Sequence, residues 1–101
     1  MNEYEATAAA RKLLERIADS ISQSWLGSLR DEWVGLTASQ FIDDLFQAIA
    51  DQNVQLDDEA GRLACELRAY VDEHGTQFDR ERVNRWAGQS PALRGLLELA
   101  A

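Results

Sequence analysis

The sequence predicts an all-α fold, a compact bundle of five to six short helices without a sheet, as a single domain over residues 1–101. Three observations predict it. Apolar residues recur at intervals of three and four along most of the chain, as on the buried face of an α-helix. Helix-capping residues precede several of these stretches. No stretch shows the period-two alternation and β-branched enrichment of a strand.

The first predicted helix is long and has one apolar stripe. Its members are Ala10, Leu13, Leu14, Ile17, Ala18, Ile21 and Trp25. Gly27 is expected to end this helix in the left-handed conformation. Ser28 then starts a short helix that carries Leu29 and Trp33 and closes at Gly35.

The third predicted helix, over 38–53, has the clearest start signal. Thr37 and Gln40 fit a capping box, and Leu36 and Phe41 occupy the two positions of a hydrophobic staple. The inward residues of this helix are Phe41, Ile42, Leu45, Phe46 and Ile49.

Asp57 or Asp58 can cap the next helix, which ends at His74 and Gly75. Its predicted inner face consists of Ala60, Leu63, Ala64, Leu67, Tyr70 and Val71.

Two further helices complete the chain. Phe78, Asp79 and Val83 repeat the staple pattern around a new N-cap, and Gly88 is expected to stop that helix. Its inward residues are Val83 and Trp86. Ser90 and Pro91 read as the cap and first residue of a last helix, which carries Leu93, Leu96 and Leu97.

The net charge of −8 is unevenly distributed. Residues 1–30 and 62–101 are each balanced, whereas residues 31–61 hold eight acidic residues and no Lys or Arg. Asp43, Asp44 and Asp51 are expected to share a solvent face of the 38–53 helix, opposite its apolar stripe. Such a face attracts a basic protein surface. The alternative is that these carboxylates only solvate the protein.

We therefore expect a partner-binding surface made of the acidic segment and one tryptophan. Its predicted residues are Asp31, Glu32, Trp33, Asp43, Asp44, Asp51, Asp57, Asp58 and Glu59. Trp33 is expected at the surface, where an aromatic ring rimmed by carboxylates suits an interface hot spot.

The sequence offers no catalytic residues, no metal site and no cofactor motif, so we expect a protein that is not an enzyme. A calcium loop starting at Asp51 fails because Leu56 replaces the required glycine and Arg62 the required glutamate. His74, the single histidine, is placed to interact with a helix C-terminus.

Two other classes of partner remain as alternatives. Arg80, Arg82, Arg85 and Arg94 surround a layout similar to a helix-turn-helix, although the net charge opposes direct nucleic-acid binding. A homodimer is the second alternative. One cysteine, Cys65, no secretory signal and no long apolar stretch lead us to expect a cytoplasmic protein without membrane contact.

In size, acidity, helical content and lack of catalytic motifs, the chain resembles the small acidic helical anti-CRISPR proteins of phages. The resemblance is one of type, and the acidic 31–61 segment carries it without a shared motif. It implies a non-enzymatic inhibitor that occludes a basic, nucleic-acid-binding surface of a larger complex, such as a CRISPR surveillance complex. The chain is also similar to acidic immunity proteins that neutralise nuclease toxins, and an adaptor is a further alternative.

Overall fold

A computed structural model of the chain describes residues 1–32 and 35–100, apart from the side chains of Glu32 and of residues 96–100. The helices are α1 (Glu3–Arg16), α2 (Gln23–Glu32), α3 (Ala38–Asp51), α4 (Asp58–His74), α5 (Gln77–Gln89) and α6 (Pro91–Ala100), with a 3-10 turn over Ala18–Ser20. The described ranges contain no strand, which confirms the predicted all-α bundle.

The long first helix of the prediction is wrong, because the chain breaks between α1 and α2. Ile21 adopts an extended conformation, with φ −117° and ψ 158°. Ser22 then caps α2: its Oγ accepts a hydrogen bond from the Trp25 N–H at 3.2 Å. The Ser22 N–H donates to Oε1 of Gln52, also at 3.2 Å. A serine that hydrogen-bonds to nearby backbone competes with helix formation. The helix therefore breaks here although the apolar residues keep their helical spacing.

Gly27 and Ser28 lie inside α2, so the predicted helix end at the first and start at the second are both wrong. Residues 33–34, which separate the last described residue of α2 from the predicted closure at Gly35, lie outside the described residues.

The start of α3 is confirmed. Thr37 Oγ1 accepts from the Gln40 N–H, and Gln40 Oε1 accepts from the Thr37 N–H, both at 3.1 Å. The helix ends at Asp51, two residues earlier than predicted. Asn53 is left-handed with φ 49°, and the Val54 N–H donates to the carbonyl oxygen five residues back at 3.0 Å. This is the Schellman type of helix ending.

α4 begins and ends where the sequence indicates. Asp57 Oδ1 accepts from the Ala60 N–H at 2.8 Å, and the predicted inner face is buried throughout. Gly75 follows the helix with φ −76°, so it is not left-handed. Glycine is required there by space, since a Cβ would lie 2.7 Å from the carbonyl oxygen of Val71.

The predicted staple around Phe78 is wrong. Thr76 is the N-cap of α5, and Asp79 completes its capping box at the third helical position. Phe78 is consequently on the helix surface and 65 % exposed. α5 also continues through Gly88. Ser90 caps α6 as predicted, since its Oγ accepts from the Leu93 N–H at 3.2 Å.

One hydrophobic core receives side chains from every helix. α3 lies at its centre and packs against α1, α2, α4 and α5. Nine of its 14 residues are buried, including Asp43. A helix covered on this many sides has little surface left for solvent. Part of its predicted acidic face is therefore buried. Within the described ranges no helix has the length and apolarity to cross a bilayer.

Candidate protein-binding surfaces

Asp43 is not on a solvent face, so this part of the predicted acidic surface is wrong. Its side chain is 8 % exposed. Oδ2 accepts a hydrogen bond from Nε of Arg82 at 2.6 Å, and Oδ1 accepts one from the indole Nε1 of Trp86 at 2.7 Å. The carboxylate therefore joins α3 to α5 and is neutralised by a cation from a distant part of the sequence.

The other predicted binding residues lie on three helices. Asp31 is in the last turn of α2, Asp44 is within α3, and Asp58 is in the first turn of α4.

Glu3 fixes the end of the bundle where α3 begins. Its Oε1 accepts from the Ala38 N–H at 2.7 Å, and its Oε2 accepts from the Tyr70 hydroxyl at 2.6 Å. The carboxylate thus satisfies a free N–H at the start of α3 and ties that start to α1 and α4. These two hydrogen bonds hold the pKa of Glu3 below its usual value. Burial, together with the bond to Glu3, raises the pKa of Tyr70 to about 12.

At the opposite end, two predicted partner-binding carboxylates form ion pairs within the fold. Arg16 Nη2 lies 2.9 Å from Asp57 Oδ2, and Lys12 Nζ lies 3.1 Å from Glu59 Oε1. The hydrogen bond from Arg16 lowers the pKa of Asp57, and the bond from Lys12 lowers that of Glu59. These pairs attach the start of α4 to the last turns of α1.

Three carboxylates at that same end have no such role. Asp19, Asp51 and Asp58 are exposed, and none of them forms an ion pair within the described chain. The hydrogen bond between the Ser22 N–H and Gln52 brings the segment containing Asp19 beside the end of α3. We call Asp19, Asp51 and Asp58 the acidic end. Asp44 is half-buried and in contact with another group, so it is not counted here.

Sequence reasoning missed a second acidic region on α4. Glu66 and Glu73 are exposed and line a cleft of about 210 Å³ together with Met1, Ala69 and Tyr70. Residues 62–101 are balanced in total charge, so a charge count does not reveal this pair of glutamates. Helix periodicity does, because residues seven apart lie on the same face of α4.

Three of the four arginines of the nucleic-acid alternative are bound within the fold. Arg80 Nη1 donates to the carbonyl oxygen of Gly75 at 2.6 Å, Arg94 Nε donates to that of Gly88 at 3.1 Å, and Arg82 pairs with Asp43. These arginines cap helices or join them.

α5 also presents aromatic rings beside its arginines. The guanidinium carbon of Arg82 lies 5.5 Å from the ring centroid of Phe78 and 5.3 Å from that of Trp86. The corresponding distance from Arg85 to Trp86 is 6.0 Å. All three are within the range of cation–π interactions. We call Phe78, Arg82, Arg85 and Trp86 the arginine-aromatic face.

Trp33 and the side chain of Glu32 lie outside the described residues. Among the residues that are described, no group of three or more His, Cys, Asp or Glu side chains is arranged to hold a metal ion. No family model, curated protein or solved structure matches the chain.

Proposed function

We propose that this chain is a non-catalytic binding protein that attaches to a basic surface of another protein through its acidic end. One observation carries the proposal. Asp51 and Asp58 are exposed without an ion-pair partner among the described residues, while the nearby cations Lys12 and Arg16 are already bound to other carboxylates. This end of the bundle therefore carries negative charge that the fold does not balance.

The position of Asp51 supports a role in binding. It is the last residue of α3, and the last turn of that helix contains no basic residue. The C-terminal end of a helix carries partial negative charge, so a carboxylate there is unfavourable for stability. Residues that oppose stability are expected where function requires them.

The proposed mechanism is occlusion without chemistry. Exposed carboxylates attract a basic groove over a range set by the Debye length, about 8–10 Å in ordinary buffers, and can raise the association rate about 10-fold to 1000-fold. The bundle then covers the groove sterically. The resemblance to anti-CRISPR proteins favours a groove that otherwise holds DNA or RNA, as in a CRISPR surveillance complex.

The experiment is affinity capture from the source cells with three forms of the chain. One is wild type, one carries Asp19→Lys and Asp51→Lys, and the control carries Asp31→Lys and Asp72→Lys, which make the same change of charge at exposed sites elsewhere. We expect wild type and control to retain the same basic protein and the acidic-end variant to lose it. With the purified partner, the variant should associate more slowly, and the difference should shrink as salt is added.

Equal retention of the partner by all three forms would remove the acidic end as the binding surface. Circular dichroism of each form checks that the fold is intact.

A further inference from the structure

We propose that the arginine-aromatic face of α5 is a second docking surface, fitted to an acidic segment of a partner protein. It shares no residue with the acidic end, and different contacts support it. With both surfaces occupied, the chain would connect a basic partner to an acidic one, as an adaptor does.

The first observation is an aromatic ring left in water. Phe78 is 65 % exposed, and the other highly exposed large apolar side chains among the described residues, Met1 and Tyr4, lie near the first residue. Phe78 is the second residue of α5 and is exposed, because Thr76 rather than Asp79 is the N-cap. Exposed aromatic side chains beside arginine have the composition of interface hot spots.

The second observation is that this face is ordered before any partner arrives. Nε of Arg82 is held by Asp43, and Asp43 also holds the indole of Trp86. The guanidinium is flanked by two aromatic rings at 5.5 and 5.3 Å. A side chain that is already fixed loses less conformational entropy when it binds.

The third observation is unused donor capacity. Arg82 uses Nε within the fold, and neither of its Nη groups hydrogen-bonds to any residue that the structure describes. The two Nη groups form a planar fork that matches the two oxygens of a carboxylate. A partner carboxylate bound there would rest beside the ring of Phe78, which can contact an apolar residue next to it.

The fourth observation is an arginine on this face that no described carboxylate pairs. Arg85 forms no ion pair within the described residues, and its guanidinium carbon lies 6.0 Å from the ring centroid of Trp86. The exposed carboxylate nearby on α5, that of Glu81, accepts a hydrogen bond from Gln77 Nε2 at 3.0 Å. Arg82 and Arg85 are three residues apart on one side of α5, where they can attract a negative segment.

An acidic protein segment fits better than a nucleic acid. Arg80 and Arg94 donate hydrogen bonds to the backbone carbonyl oxygens of Gly75 and Gly88. These donors are therefore not available to bind the phosphates of a nucleic acid. A long polyanion would also meet the repulsion of a chain with net charge −8. A short acidic segment needs only the local surface.

The test uses a dye-labelled synthetic peptide in which glutamate alternates with phenylalanine and leucine, measured by fluorescence anisotropy. The variant carries Phe78→Ala and Arg85→Gln, which leave the Asp43 contacts in place. The matched control carries Tyr4→Ala and Arg62→Gln, which remove an exposed ring and an exposed charge elsewhere. NMR of the Trp86 indole N–H reports whether the peptide sits on this face.

We expect saturable binding that is at least about tenfold weaker in the variant and unchanged in the control, with a shift of the Trp86 signal. Absence of binding to wild type would overturn the proposal, as would equal losses in variant and control. Equal affinity for the same peptide with lysine in place of glutamate would also overturn it. Tighter binding of single-stranded DNA, lost in the same variant, would assign the face to nucleic acid instead.

Discussion

Asp43→Ala should destabilise the protein by about 3 kcal/mol, because it breaks the polar connection between α3 and α5. The substitution removes the acceptor for Arg82 Nε at 2.6 Å and for Trp86 Nε1 at 2.7 Å. Removing one member of a buried ion pair costs about 3–5 kcal/mol. The side chain of Arg82 is 27 % exposed, so water can replace part of the lost bond and the lower limit applies.

The effect should be large in a protein of this size. Each kcal/mol shifts the Tm of a domain of 60–100 residues by about 4–8 °C, so we expect a fall of roughly 12–24 °C. Asp43→Asn retains an oxygen that can accept from the Trp86 indole but loses the charge. We expect it to cost about half as much, since a hydrogen bond to a charged group contributes about 1.5–3 kcal/mol.

Urea unfolding followed by far-ultraviolet circular dichroism measures both changes. Asp51→Ala is the matched control, because it removes an exposed aspartate from the last turn of the same helix and should change stability by no more than about 1 kcal/mol, in the stabilising direction. A loss below about 1 kcal/mol for Asp43→Ala, with an unchanged m-value, would show that the contact with α5 does not stabilise the native fold.

Three further results are expected. Because hydrogen bonds from Tyr70 and Ala38 lower the pKa of Glu3, its ionised carboxylate stabilises the folded state. This stabilisation is fully present above the unfolded pKa near 4.5 and is lost as pH falls through the lower pKa of the folded state. Wild type should therefore lose more stability than Glu3→Gln across that pH window in urea titrations, and parallel curves would contradict this. Gly75→Ala should cost about 1–3 kcal/mol, because a Cβ there lies 2.7 Å from a carbonyl oxygen of α4, and a neutral result would exclude the clash. Gly27→Ala, with open space around it in α2, should instead stabilise by about 0.5–1 kcal/mol, as a Tm shift would report.

Local signals predicted α3 and α4 well and the ends of α2 and α5 poorly. The capping box of Thr37 and Gln40 consists of residues three apart, so its hydrogen bonds form wherever the chain is helical. The break before α2 is accompanied by a contact with Gln52, 30 residues away, whose side chain accepts from the Ser22 N–H. Apolar spacing continues across this break and does not reveal it.

The candidate sites were predictable only in part. The excess of carboxylates in residues 31–61 is real, but a charge count does not say which of them meet a cation. The arginine-aromatic face was missed because a staple was assigned to Phe78. The signal that could have found it is the spacing of Phe78, Arg82 and Trp86 at four-residue intervals, which places them on one side of a helix.

By itself the sequence determined the helical class, most of the buried stripes and the net charge, because these follow from composition and from contacts between residues three or four apart. Only the tertiary structure decided which carboxylates are surface and which are internal. Asp43 and Arg82 are 39 residues apart in sequence, and their pairing exists because α3 packs against α5. The packing of helices around α3 buries Asp43, pairs Asp57 and Glu59 with cations and leaves the acidic end in water, and this arrangement depends on long-range geometry.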